Sequence, residues 1–130
     1  MHEILQHTAD VRLHVTGSTL EELFVDALRG LMEVMHGAME GAEETEQVEV
    51  ESVDVTALLV DFLNEALVRA HVRRRSFTGA SFASLTETRA AATLTSVPAE
   101  FDEDVKAVTY HEAEVRRGED GWTTMLVLDI

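Results

Sequence analysis

From Ser76 to Ile130 the sequence passes from one strand-like segment to the next without recovering a helical period, and this constrains the fold most. Ser76–Ala83 and Thr88–Thr95 read as two strands, the second rich in threonine and alanine. Pro98 and the acidic stretch Glu100–Asp104 read as a loop. Val105–Arg117 and Trp122–Ile130 read as the last two strands, with Gly118-Glu119-Asp120-Gly121 as their hairpin turn. Ahead of this block, Val11-Arg12-Leu13-His14-Val15 alternates as a half-buried strand does. Ser18 or Thr19 can then cap a helix, with Glu21 or Glu22 three residues on. Leu20, Leu23, Phe24, Ala27, Leu28, Leu31 and Met35 form its apolar face, and Gly37 and Gly41 end it. The acidic segment Glu43–Glu46 opens as a loop, and Val48, Val50 and Val53 suggest a short strand after it. Asp54 suits the N-cap of a second helix carrying Val55, Leu58, Leu59, Phe62, Leu63, Ala66, Leu67 and Ala70 on its core face. Arg73–Arg75 follow its last turn, where cations complement the helix dipole. The reading is a single α+β domain over residues 1–130, mostly antiparallel, with two main helices and a C-terminal β-hairpin ending at the last residue.

A 130-residue domain buries roughly 65–70% of its unfolded surface, so it needs no staple to fold. The absence of cysteine excludes thiolate catalysis, iron–sulfur clusters and cysteine-based zinc sites. The first residues lack the basic and apolar regions of a signal peptide, and no apolar run reaches the ~18–20 residues of a membrane span. A cytoplasmic, soluble protein without membrane contact is expected. The net charge of −15 repels phosphate backbones, so no direct binding of nucleic acid is expected. Nine of the ten basic residues are arginine, which leaves Lys106 as the sole lysine.

The apolar run Met125–Leu128 leads straight into Asp129-Ile130, placing a side-chain carboxylate beside the terminal one. Oxygen ligands of this kind suit a hard cation. A hairpin centred between Glu119 and Asp120 sets Asp129 opposite Tyr110 and Ile130 opposite Thr109. Lys106 then lies about three residues further out, and its stem can lean back toward the carboxylates. His7-Thr8-Ala9-Asp10 precedes the first strand. Its His-x-x-Asp pair suits acid–base or metal chemistry if other ligands converge, and otherwise serves loop amides. Asp61 and Glu65 stand i, i+4 on the second helix, a mildly repulsive arrangement. Either they serve a site or Glu65 simply pairs with Arg69. No P-loop, dinucleotide-binding glycine pattern, nucleophile elbow or His-Glu-x-x-His zinc motif is present.

Taken in order, His7-Thr8-Ala9-Asp10, Gly17–Phe24, Leu58–Glu65, Val105–His111 and the terminal Leu128-Asp129-Ile130 make the chain resemble the archease family over its whole length. It departs at Val97-Pro98-Ala99-Glu100, where the family usually has a Gly-Glu-Pro-like turn, often with a histidine nearby. The resemblance implies an accessory protein, itself not an enzyme, for an RtcB-type RNA-splicing ligase that joins tRNA halves. Such a protein promotes guanylylation of the ligase and its multiple turnover. Carried over by motif, Asp10, Asp129 and the Ile130 carboxylate would hold a divalent cation, Ca²⁺ first, with Mg²⁺ or Mn²⁺ as alternatives. Lys106 would be the functional cation beside it; His7 and His111 are candidates to support the site, and Asp61 and Glu65, which match the motif too, serve either the site or only the helix. Two other readings compete. One is a chaperone for another tRNA-modifying protein, such as a tRNA cytosine methyltransferase. The other is a metal-dependent hydrolase using His7 and His111.

Overall fold

The computed structural model describes residues 1–6 and 10–130, with Gln6 by its backbone alone. The elements in chain order are β1 (His2–Gln6), β2 (Asp10–Gly17), α1 (Leu20–Met35), β3 (Glu44–Glu51), α2 (Val55–Arg73), β4 (Arg75–Leu85), β5 (Arg89–Pro98), β6 (Ala107–Thr109), β7 (Arg116–Gly118) and β8 (Gly121–Asp129). They form an α+β fold in which every strand pairing is antiparallel. One sheet has the order β1-β2-β8-β6, with β7 also pairing β8; the other has the order β3-β5-β4. No helix among the described residues is long and apolar enough to cross a membrane.

Local chemistry sets both helix starts. Thr19 caps α1 by accepting the Glu22 N–H at 3.1 Å, and the Glu22 carboxylate reaches back to the Ser18 N–H at 2.7 Å. Asp54 caps α2 by accepting the Ala57 N–H at 2.8 Å. At its far end, Arg74 adopts a left-handed conformation with φ of 54° and closes the helix. The helices join the two sheets, since α1 touches both β2 and β4 while α2 touches β3, β4 and β6. At their crossing, Phe24, Phe62 and Phe82 pack with ring centroids 5.5–5.9 Å apart. The inward face of the larger sheet adds Val11, Leu13 and Val15 from β2 and Leu126 and Leu128 from β8, all buried.

Several sequence-based boundaries change. Residues 2–6 form a strand the sequence does not announce, because β1 is a sheet edge whose Ile4 and Leu5 stay partly exposed. Glu44–Glu46 belongs to β3 instead of a loop. There Arg69 and Arg73 lie 2.9 and 3.6 Å from Glu46, and Arg75 lies 3.0 Å from Glu44, offsetting the acidity of the edge. Val53 falls outside that strand and is exposed. Val97 and Pro98 close β5, and Ala99 bridges Ala38, so most of the departing segment is β-structured. The long strand expected over Val105–Arg117 is two short ones, β6 and β7, separated by a turn at 110–115.

Candidate functional site

β8 runs through the middle of the larger sheet and carries Asp129 to its rim, where β2 and β6 flank it. Asp10 pairs with Asp129 from one side and Ala107 from the other. Directly opposed residues share a face, so the two carboxylates project on the same side of the sheet. That side faces away from the helices, because the neighbouring rung of Val11, Leu128 and Val108 is buried in the core. The Ile130 side chain packs partly against the core and holds the end of β8 down.

Lys106 arrives here by a shift that the sequence does not reveal. Beside the turn, β7 keeps the expected count, with Arg117 opposite Trp122. Beyond residues 110–115 the count has moved by three, and Asp129 faces Ala107 where the hairpin count put Tyr110. Ala113 N–H bonds to the Tyr110 carbonyl at 3.1 Å, and Glu112 takes a left-handed φ of 61°, so the extra residues are spent in a tight excursion. Lys106 also donates its N–H to the Asp129 carbonyl at 2.7 Å. Two consecutive residues thus answer to one. Through Val105–Val108 the burial runs buried, exposed, half-buried, buried, in place of strict alternation. Both features are those of a β-bulge, which re-aims side chains. It leaves Lys106 off the core, beside Asp129.

The polar surroundings on this face are incompletely matched. Asp10 Oδ1, Arg12 Nε and Thr109 Oγ1 are buried with no hydrogen-bond partner among the described residues. They lie on two neighbouring rungs, Asp10–Asp129–Ala107 and Arg12–Val127–Thr109. Arg12 Nε stands 4.0 Å from Asp10 Oδ1, and its other end is taken by Glu112. A buried polar atom left without a partner costs about 1–3 kcal/mol. The carboxylates are hard donors and fit a cation such as Ca²⁺ or Mg²⁺. Among the described residues, no three side chains of His, Asp or Glu form a metal-holding group.

The remaining candidates lie elsewhere or outside the described residues, as His7 does. His111 is 72% exposed, with Glu112 3.9 Å away. Asp61 accepts from Ser52 Oγ at 2.5 Å and from the Tyr110 hydroxyl, tying the 110–115 excursion to α2. That hydrogen bond holds the Tyr110 pKa above its ordinary value, with burial and the Asp61 charge adding to the effect. Glu65 pairs with Arg69 at 2.9 Å, and Arg69 also reaches Glu46 and the Gln47 carbonyl, a network joining α2 to β3. The Arg69 pKa is raised chiefly by the Glu65 bond.

Sequence reasoning passed over Asn64, Arg12 and Glu112. Asn64 binds the Val108 N–H and the Val108 carbonyl, both at 2.8 Å. Its one signal was an amide set between the core residues Leu63 and Ala66.

Comparison with known proteins bears on this geometry. Residues 2–130 match the model of the Archease protein family. A protein archease of Thermococcus gammatolerans is 35% identical over 138 residues, covering 98% of this chain and 97% of its own. One from Methanosarcina acetivorans is 31% identical over 140 residues, covering 99% and 95%. The fold is similar to the solution structure of protein 1598 of Methanobacterium thermoautotrophicum, with a TM-score of 0.70 at 25% identity, covering 99% of this chain and 98% of that one. It is also similar to the crystal structure of a Thermotoga maritima archease described as a possible chaperone. There the TM-score is 0.71 at 21% identity, covering 100% of this chain and 98% of that one.

Proposed function

Because the chain belongs to the archease family, we propose that it is a cytoplasmic accessory protein of an RtcB-type RNA-splicing ligase, promoting guanylylation of the ligase and its repeated turnover. The observation that carries this reading is the meeting of Asp10, Asp129 and Lys106 at one rim of the larger sheet. Asp10, Asp129 and the carboxylate of Ile130 would hold a divalent cation, which when bound supplies concentrated positive charge for phosphate oxygens. Asp10 and Asp129 orient from adjacent rigid strands, so their spacing is set before any ligand arrives. Lys106, whose backbone N–H bonds to the Asp129 carbonyl, would add a compact ammonium. The acidic surface, at −15 overall, suits docking on a basic RNA-binding enzyme.

Calorimetry with Ca²⁺ and Mg²⁺ tests the cation site, with uptake by the many other acids subtracted through a variant of the Glu43–Glu46 segment. Asp129→Ala should weaken binding at least about tenfold, in line with loss of a charged ligand. Equal binding by both proteins would remove Asp129 from the site.

A second reading has support in the description of the Thermotoga maritima protein as a possible chaperone. Under it, the chain would keep a tRNA-modifying protein such as a cytosine methyltransferase soluble. Protection from aggregation would then survive Asp129→Ala.

A further inference from the structure

We propose that Asn64 is a positioning residue for the Lys106 site, acting through the backbone of β6. The inference rests on the functional reading of Lys106 above. β6 is the outer strand of its sheet, so on the side away from β8 its backbone has no strand to pair with. Asn64 supplies the missing partner. Its carboxamide accepts the Val108 N–H and donates to the Val108 carbonyl, each at 2.8 Å, as a neighbouring strand residue would. One helical side chain thereby satisfies both outward groups of the strand's middle residue.

A second contact closes the other side of the bulge. His71, two turns further along α2, donates its Nε2–H to the Val105 carbonyl at 3.2 Å. Asn64 and His71 bracket Lys106 at Val108 and Val105, while the Lys106 N–H itself is held by Asp129. A bulge alone would leave a three-residue edge strand marginal. Fixed from α2 at both shoulders, it has one backbone path, and the lysine stem starts from a defined point. Asn64 is chemically suited to this and aspartate is not, because a carboxylate can accept from Val108 N–H but cannot donate to its carbonyl.

The test uses amide hydrogen exchange together with the sole lysine as a reporter. Reductive ¹³C-methylation labels Lys106 and the α-amino group only, and keeps the lysine charge. In the wild type, Val108 and Lys106 N–H should exchange slowly, and Ca²⁺ should shift the Lys106 methyl signal. In Asn64→Ala those two amides should exchange at least about tenfold faster, while Leu126 and Leu128 keep wild-type protection. The Ca²⁺-induced shift at Lys106 should fall by more than about half as the ammonium loses its fixed origin. Asn64→Asp should lie between the two, and it decides the matter on the same amides if the alanine variant does not fold. Unchanged protection at Lys106, or protection lost equally across β8, would overturn the proposal. If Ca²⁺ moves no lysine signal in the wild type, the cation reading fails, and the exchange rates alone still decide whether Asn64 positions Lys106.

Discussion

At the residue scale, the rim depends on which side chains are free to act and which are already engaged. Asp61 and Glu65 are engaged, with Tyr110 and Ser52 and with Arg69. Lys106 is exposed and makes its anchoring contact through its backbone. Truncating an exposed side chain usually changes stability by less than ~0.5 kcal/mol. Lys106→Ala should therefore melt within about 3 °C of the wild type, as measured by circular dichroism. A much earlier transition would make the lysine structural. Tyr110 gives an independent check, because it is the sole tyrosine. Its bond to Asp61 favours the protonated phenol, so the folded pKa lies above the ordinary value of about 10. The stabilising bond is fully present below that ordinary value and is lost as pH rises through the raised one. Titration of tyrosinate absorbance should show the high midpoint in the wild type and a lower one in Asp61→Asn. Identical midpoints would mean that the excursion is not tied to α2. From sequence, Asp10, Asp129 and Lys106 could be singled out by residue type and motif. The register shift that brings them together could not, because a count from the turn carries no information about residues spent at 110–115.

At the element scale, the two helices were legible because their caps and apolar stripes agree. The strands were legible where one face is buried. β1 was not, since an edge strand with partly exposed apolar residues has no strict alternation, and the first residues of β3 were hidden by glutamates whose arginine partners come from α2 and β4. The hairpin before β8 makes a sharper prediction. Gly121 has φ of 116°, and a Cβ there would stand 2.4 Å from the Gly17 carbonyl oxygen, where β2 ends. Gly118, across the same turn, has open space around a Cβ. Gly121→Ala should destabilise by about 2 kcal/mol or more through strain and steric conflict, whereas Gly118→Ala should stay within about 0.5 kcal/mol. Urea unfolding of the two variants checks this, and equal stabilities would contradict the close approach of the turn to β2.

For the whole molecule, the architecture separates the supporting core from the candidate site. The two helices join the sheets and fill the core, and the larger sheet presents one rim to solvent with Asp10, Asp129 and Lys106 together. Fold class and family were readable because the alternation, the caps and the spaced motifs all point the same way. Under the proposed function, what the rim acts on is a property of a partner, and only its charge leaves a trace in this chain. The most direct measurement is therefore made on the partner. A purified RtcB-type ligase is incubated with GTP and the divalent cation, and covalent guanylylation and turnover are followed with wild type, Lys106→Ala or Asp129→Ala added. The account predicts that the wild type raises both, and that each variant, though folded, loses at least about nine-tenths of the stimulation, a difference of about 1.4 kcal/mol. Full stimulation by both folded variants would contradict it.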